Sequence, residues 1–225
     1  MTDTRVAGRY ETLEVVGRGG EATVLKAIDT RHERLVALKV RVVPHNGASD
    51  SLLVEARSLL SLPPHPGLAH ARDDLFDGGR HVLVLDWVEG VNLARVLVDE
   101  GAPGLPVSSV LRWIAQAAEA LTVLHQHGVV HGDVKPANLI LDRDGRVVLV
   151  DLGSSSVPTT EAARGGTPGF RAPEIAGGAP ADRSSDVFGL AATAFTLLTG
   201  SPPTDRKSTR LNSSHLTQSR MPSSA

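Results

Sequence analysis

Residues 131–138 of the chain read His-Gly-Asp-Val-Lys-Pro-Ala-Asn, and residues 151–153 read Asp-Leu-Gly. The side-chain oxygens of Asn138 and Asp151 are hard ligands of the kind that Mg²⁺ prefers. Asp133 can accept a proton from a hydroxyl group, and Lys135 can lie beside a phosphate. Phosphoryl transfer from Mg-ATP needs such a set, because its catalysis consists almost entirely of positioning and charge neutralisation. The two motifs therefore predict a site for phosphoryl transfer.

The spacing of these residues resembles the catalytic loop and the metal motif of protein kinases, with Gly132 where arginine is usual and Leu152 where phenylalanine is usual. The chain is similar to bacterial serine/threonine protein kinases of the eukaryotic type. This resemblance implies a two-lobed α+β fold, with a β-rich N-lobe at residues 1–88 and a partial, helical C-lobe at residues 89–204. It implies ATP and Mg²⁺ as cofactors and a protein with a Ser or Thr acceptor as substrate. The implied catalytic residues are Asp133 and Lys135, and the implied metal ligands are Asn138 and Asp151.

A nucleotide site is expected upstream of these motifs. Residues 17–24 read Gly-Arg-Gly-Gly-Glu-Ala-Thr-Val and resemble the glycine-rich loop, whose backbone N–H groups approach phosphates closely. Lys39 would contact the α- and β-phosphates and pair with Glu55. Taken singly, the glycines fit an ordinary hairpin turn and Lys39 a solvated strand lysine, but their order along the chain favours the nucleotide site. The implied nucleotide-binding residues are Val16, Gly17, Gly19, Gly20, Ala22, Val24, Ala37, Lys39, Glu55, Asp86, Val88 and Ile140.

The predicted strand 81–88, whose last six residues read Leu-Val-Leu-Asp-Trp-Val, resembles the hinge between the lobes. By that match Leu85 is the gatekeeper, and the backbone of Asp86 and Val88 hydrogen-bonds the edge of adenine. An ordinary core strand would show the same pattern, since the family uses one strand for both purposes. The apolar residues that would sandwich the adenine ring are Val16, Val24, Ala37 and Ile140.

Two further motifs extend the resemblance towards the C-terminus. Residues 166–174 resemble the end of the activation segment, where Thr167 would lie near Asp133 and Lys135. Asp186 would hold the backbone of the catalytic loop from the start of the central C-lobe helix. His131 would be a packed structural residue beside the apolar residue 152.

Gly132 has a consequence for regulation. In the family, the arginine at this place pairs with phosphate on the activation loop, so glycine removes one reason to expect switching by that route. The hydroxyls at residues 154–156, 159 and 160 fit either phosphorylation sites or an ordinary polar loop. His125 and His127 lie two residues apart and do not share a helix face, so we predict no metal site there.

Periodicity and turn residues predict the elements along the chain. Helix 51–62 would place Leu52, Leu53, Ala56, Leu59 and Leu60 on one side, and Ser108 or Ser109 would cap helix 110–127. A loop would run from residue 153 to 169. The predicted strands are 10–16, 22–28, 35–43, 81–88, 139–141 and 147–150, and a third helix is predicted at 186–199, closed by Gly200.

Composition narrows the class of protein. The chain has 225 residues, no cysteine, 41% hydrophobic residues and a formal net charge of −2. It can bury a sizeable core, and disulfides and cysteine-metal sites are excluded. The small net charge gives no reason to expect nucleic acid as a partner. No signal peptide and no apolar run of ~18–20 residues is present, so we expect a cytoplasmic kinase domain whose parent protein could carry a membrane anchor beyond residue 204.

Residues 205–225 are expected to be a non-native tail derived from a sequencing adapter. In one reading frame, codons for this stretch match a common short-read adapter on both sides of a short index; a Ser-rich disordered tail is the alternative. Natural sequence would then end near Thr204. In that case the apolar faces of Val187, Leu190, Phe195 and Leu198 would lack cover, and the chain would fold poorly.

Two other classes of function compete with a protein kinase. A pseudokinase binding module would keep the fold and lose metal or phosphate ligands, whereas Lys39, Glu55, Asp133, Asn138 and Asp151 are all present. A kinase-fold phosphotransferase for small molecules is the other alternative. Lys135-Pro136 and the segment 167–174 favour protein substrates. The sequence does not indicate the oligomeric state.

Overall fold

The computed structural model describes residues 5–18, 22–43, 51–101, 103–151 and 167–203. The first part of the chain forms a six-stranded sheet of order β1-β2-β3-β4-β6-β5, in which every neighbouring pair is antiparallel. One helix accompanies it. The elements of this upper lobe are β1 (Arg5–Val6), β2 (Tyr10–Arg18), β3 (Thr23–Asp29), β4 (Arg34–Val42), α1 (Ser51–Leu60), β5 (Ala71–Asp77) and β6 (Arg80–Asp86).

The rest of the described chain forms a mainly helical lower lobe with a three-stranded antiparallel sheet. A short 3-10 turn, Pro136–Asn138, leads into the second strand of this sheet. The elements are β7 (Gly90–Asn92), α2 (Leu93–Glu100), α3 (Val107–Gln126), β8 (Leu139–Asp142), β9 (Val147–Leu149), α4 (Pro173–Ala176) and α5 (Arg183–Thr199). The predicted two-lobed α+β architecture is confirmed.

The described residues form two hydrophobic clusters, and the larger one extends from the upper lobe into the lower lobe. A small cluster, including Tyr10 and Leu38, lies within the upper sheet. A much larger cluster runs from α1 and Leu83 of the upper lobe to α3 and β9 of the lower lobe. Backbone hydrogen bonds reinforce the junction, since the Leu149 N–H donates to the Gly67 carbonyl at 2.8 Å. The cleft between the lobes is therefore closed at its back by packed side chains.

Helix ends differ from several predictions, because capping follows local backbone geometry. Helix α1 ends at Leu60, which is 43% exposed rather than on the buried side with Leu52. Helix α3 begins at Val107, and Pro106 caps it without a side-chain bond, so the predicted serine caps are wrong. Helix α5 begins at Arg183, where Asp182 accepts hydrogen bonds from the backbone of the first turn.

Four apolar residues of α5 were expected to lack cover, and the structure exposes three of them and buries one. Leu190 is buried, whereas Val187, Phe195 and Leu198 are exposed by 60%, 48% and 36%. The predicted stop of this helix at Gly200 is confirmed, with Gly200 in the left-handed region at φ +81°. Most of the predicted loop 153–169 and all of the predicted tail lie outside the described residues. Within the described part of the chain, no helix is long and apolar enough to cross a membrane.

Candidate active site

A cavity of about 310 Å³ lies between the two lobes, and most of the predicted nucleotide-binding residues line it. Gly19 and Gly20 lie outside the described residues, while Ala22 and Glu55 do not line the cavity. The predicted residues at the wall are Val16, Gly17, Val24, Ala37, Lys39, Asp86, Val88, Ile140 and Asp151. Residues at the wall outside that set are Ala69, Leu85, Trp87, Gly90, Asn92, Ala137 and Val150.

The alternation of β4 explains how Lys39 reaches the cavity. Val36 and Leu38 point into the small core of the upper sheet, so Ala37 and Lys39 point to the opposite face, towards the cavity. Lys39 is paired in register with Val24 of β3 on one side and with Leu83 of β6 on the other. A central strand position buries most of the lysine side chain.

Lys39 bridges two carboxylates. Its Nζ lies 2.9 Å from both Glu55 oxygens and 2.7 Å from Asp151 Oδ1. Burial alone would lower the pKa of Lys39, but the charges of Glu55 and Asp151 outweigh it and raise that pKa above its ordinary value. Burial would likewise raise the pKa of Asp151, and Lys39 reverses the effect and lowers it. Lys39 and Asp151 are therefore charged at neutral pH.

Hydrogen bonds within the protein already occupy part of the hinge at Asp86. The Asp86 N–H donates to the His70 carbonyl at 2.9 Å, and Arg72 of β5 binds the Asp86 carboxylate with two bonds of 2.7 and 2.5 Å. A role of Asp86 at the adenine edge would therefore fall to its carbonyl oxygen. Leu85 and Val88 line the same cavity, in agreement with their predicted places.

Asp133, Lys135 and Thr167 form one hydrogen-bonded group at the catalytic loop. Lys135 Nζ donates to Asp133 Oδ2 at 2.5 Å and to Thr167 Oγ1 at 2.7 Å. The Thr167 hydroxyl and N–H both donate to Asp133 Oδ1, at 3.0 and 3.1 Å. The expectation that Thr167 lies near both residues is confirmed. A carboxylate and an ammonium group are thus presented side by side.

Asn138 and Asp151 fit the requirements of a magnesium site. The Asn138 amide nitrogen donates to the Asp133 carbonyl at 2.9 Å, which leaves the amide oxygen as its possible metal ligand. Asp151 lines the cavity and supplies a carboxylate. Among the described residues, no group of three or more His, Asp or Glu side chains converges as a metal site. Two protein oxygens, completed by phosphate and water, suit Mg²⁺, which keeps several waters and binds few carboxylates.

Asp186 supports the catalytic loop from α5. Its buried carboxylate accepts hydrogen bonds from the His131 N–H at 2.8 Å, the Gly132 N–H at 2.7 Å and His125 Nε2 at 2.8 Å. The predicted role of Asp186 in holding the loop backbone is confirmed. His125 thus belongs to this structural network. No local sequence pattern indicates this role of His125, because its partner lies 61 residues away.

His131 is a fully buried link between the two motifs. Its Nδ1 accepts from the Asp133 N–H at 3.2 Å, so Nε2 carries the proton and donates to the Val150 carbonyl at 3.1 Å. Burial lowers the pKa of His131, which keeps the ring neutral. The predicted neighbour at position 152 lies outside the described residues. His131 therefore connects the catalytic loop to the residue before Asp151.

Two backbone positions in the site are left-handed. Gly132 has φ +78°, which glycine adopts without strain. Asp151 has φ +62°, a conformation that costs a residue with a Cβ roughly 1–2 kcal/mol. Such strain is found where function requires an unusual direction of a side chain, and here it accompanies the ion pair of Asp151 with Lys39.

Asn92 is a wall residue that sequence reasoning missed. Its Oδ1 accepts from the Arg95 N–H at 2.9 Å and caps α2. An asparagine directly before an amphipathic stretch indicates the start of a helix. The sequence therefore contains a signal for α2 and for Asn92 as its cap. Trp87 carries no comparable signal in the sequence.

Comparison of the sequence with known proteins identifies its family. The model of the protein kinase domain family matches residues 10–224, a span that includes most of the predicted tail at residues 205–225. The chain is 37% identical over 210 residues to the DNA damage-responsive serine/threonine-protein kinase RqkA of Deinococcus radiodurans, covering 89% of this chain and 31% of that protein.

Two further relatives are similar over about the same share of the chain. Identity is 32% over 214 residues with the serine/threonine-protein kinase PrkC of Bacillus subtilis, covering 91% of this chain and 32% of PrkC. It is 34% over 216 residues with the serine/threonine-protein kinase PknB of Mycolicibacterium smegmatis, covering 90% of this chain and 34% of PknB. The chain spans about a third of the length of these relatives. By the match of its sequence over nearly its whole length, the chain belongs to the protein kinase family.

Proposed function

We propose that the chain is the catalytic domain of a serine/threonine protein kinase, which transfers the γ-phosphoryl group of Mg-ATP to a Ser or Thr hydroxyl of a protein. Protein kinases generally use ATP and Mg²⁺, and the relatives named above are serine/threonine kinases. The observation that carries the proposal is the group of Asp133, Lys135 and Thr167 beside a cavity walled by Lys39 and Asp151. We propose that the lobes divide at residue 88, between β6 and β7.

The proposed reaction follows from this arrangement. The acceptor hydroxyl oxygen forms a bond to the γ-phosphorus, and the bond from that phosphorus to the oxygen bridging the β- and γ-phosphates breaks, releasing ADP. Asp133 accepts the hydroxyl proton. Lys135, held against Asp133, stabilises the negative charge on the transferring group, and Lys39 holds the α- and β-phosphates. Asn138 and Asp151 would hold Mg²⁺, which when bound neutralises charge on the phosphate oxygens.

Incorporation of labelled phosphate tests the proposal. Purified protein is incubated with γ-labelled ATP, Mg²⁺ and either a basic Ser/Thr-containing protein or a panel of small hydroxyl and amino acceptors. We expect label in protein Ser or Thr. Label in a small acceptor alone would indicate a small-molecule phosphotransferase, and nucleotide binding without transfer would indicate a pseudokinase. Either outcome would overturn the proposal.

Removing the Asp151 carboxylate should weaken binding of the magnesium nucleotide itself. Asp151→Ala deletes a proposed metal ligand, and we expect the Kd for Mg-ATP to rise about 10-fold or more, as loss of a ligand or of its support does at metal sites. Calorimetric titration with and without Mg²⁺ measures this. Since the nucleotide alone still meets Lys39, the affinity without metal should change far less. An equal loss under both conditions would contradict the metal role.

Because residue 132 is glycine, we expect the order of the catalytic loop to be independent of phosphorylation of the activation loop. The loop backbone is held by Asp186 and the left-handed position is occupied by glycine, so no arginine is available there to bind an activation-loop phosphate. Treatment of the purified kinase with a phosphatase should therefore leave most of the initial rate. The rate is measured before and after treatment, with mass spectrometry to confirm dephosphorylation. A loss of about tenfold or more would show that a phosphate contributes through another residue.

A further inference from the structure

Lys26 and Trp87 make a contact between β3 and the hinge that the mechanism above does not use. Lys26 Nζ lies 4.5 Å from the centre of the Trp87 ring, within the range of a cation–π interaction. The Lys26 side chain is only 19% exposed, so solvent screens the contact less than an ordinary surface pair. Trp87 borders the nucleotide cavity and also a second, outer cavity on the far side of the hinge.

The direction of Lys26 follows from the strand pattern. Val24 and Lys26 lie two residues apart on β3, so they share the face that is turned towards the cavity. Glu14 lies opposite Lys26 on β2, and their side chains approach to 4.0 Å. Lys26 therefore links β3 to β2, and Val16, Gly17 and Val24 of these two strands line the cavity.

Trp87 is in turn joined to the lower lobe. Its Nε1 donates to Glu89 Oε2 at 2.9 Å, and Glu89 Oε1 lies 3.5 Å from the guanidinium of Arg143 in the turn between β8 and β9. Arg143 is 81% exposed at its side chain, so this last pair contributes little. The contact of Lys26 with Trp87 is less exposed to solvent than the two pairs that follow it.

We propose that Lys26 and Trp87 form a tether that fixes the height of the β2–β3 hairpin above the cavity and thereby sets nucleotide affinity. The inference rests on the proposed function, because the ligand of the cavity is taken to be a magnesium nucleotide. Lys26 is a positioning residue here, since it acts through the hairpin and does not need to touch the nucleotide. Losing the tether lets Val16, Gly17 and Val24 of the hairpin move away from the cavity, so their contacts with the nucleotide become less frequent while the catalytic loop is unchanged.

The test compares Lys26→Met, Lys26→Arg and Trp87→Leu by calorimetric titration with ADP and Mg²⁺ and by steady-state kinetics. We expect Lys26→Met and Trp87→Leu each to raise the Kd for ADP and the KM for ATP about three- to tenfold, with kcat within about twofold of wild type. Lys26→Arg should restore the affinity to within about twofold, because a guanidinium also stacks over an indole. The double variant Lys26→Met/Trp87→Leu should be no weaker than either single variant.

Arg80→Met is the matched control. Arg80 is a cation of the same sheet in an ion pair of 3.0 Å with Asp77, at the end of β6 away from the hinge. This variant should bind ADP as wild type does, and its melting temperature should match that of Lys26→Met. Equal affinities of Lys26→Met and Arg80→Met would refute the tether, as would additive effects in the double variant. Failure of the wild-type protein to bind ADP would instead refute the proposed function and the tether with it.

Discussion

Asp133→Asn is expected to lower kcat about 10²- to 10⁴-fold, the usual effect of losing a general base. Asparagine has nearly the same shape and keeps an oxygen that can accept from Thr167, but its amide cannot accept a proton. In the wild-type protein, Lys135 Nζ and Asn138 Nδ2 both donate to Asp133 Oδ2. If the amide nitrogen of the asparagine takes the place of Oδ2, these donors face another donor. Lys135 would then lose its carboxylate partner and keep only its bond to Thr167, so the phosphate would lose a firmly positioned cation together with the base.

Single-turnover transfer to a protein acceptor measures this effect, and titration with ADP and Mg²⁺ should show nearly unchanged nucleotide affinity. Asp99→Asn is the control, because it removes one carboxylate from an exposed pair with Arg95 on α2. That variant should transfer phosphate at the wild-type rate. Transfer by Asp133→Asn at a similar rate would remove Asp133 from the mechanism.

Lys39→Met should destabilise the fold as well as abolish transfer. The variant leaves Glu55 buried, at 5% exposure, without its nearest cation. Removing one partner of a buried ion pair typically costs about 3–5 kcal/mol, a large part of the about 5–15 kcal/mol that stabilises a domain. Urea unfolding should show a clearly lower midpoint, and nucleotide binding should fall because the cation for the phosphates is gone.

A double variant separates the two effects. Lys39→Met/Glu55→Leu replaces both charges by apolar groups, and such replacement of a buried pair is often neutral for stability. We therefore expect the urea midpoint to return towards wild type while phosphoryl transfer stays absent. If Lys39→Met unfolds at the wild-type midpoint, the pair with Glu55 does not stabilise the fold. If the double variant transfers phosphate, Lys39 has no role at the nucleotide.

The fold and most of the candidate site could be read from residues whose spacing carries chemistry. Lys39 and Asp186 were placed correctly because each follows a motif, and the structure brings them to Glu55 and to the catalytic loop. The strand β5 was not predicted, since its sequence is rich in aspartate and lacks alternation. Its position depends on pairing with β6 and on the Arg72–Asp86 ion pair, which are non-local contacts.

Other differences have local causes. Helix α2 is only 8 residues long, which is too short for the apolar residues to show a clear helical periodicity. Leu60 fits the apolar side of α1 by spacing, but the helix ends there and the residue is exposed. The contact of Asp151 with Lys39 joins residues 112 positions apart and depends on a left-handed backbone at Asp151. No pattern within either segment reports such a contact.

The support of the catalytic loop by Asp186 has a consequence for synthesis of the protein on the ribosome. The loop amides of His131 and Gly132 are made 55 and 54 residues before the carboxylate that holds them. A nascent chain that has just emerged to Asp151 thus already contains the base, the lysine and both proposed metal ligands. It lacks Asp186, whose carboxylate accepts hydrogen bonds from the His131 and Gly132 amides. The catalytic loop of the growing polypeptide therefore lacks this support until α5 has been synthesised.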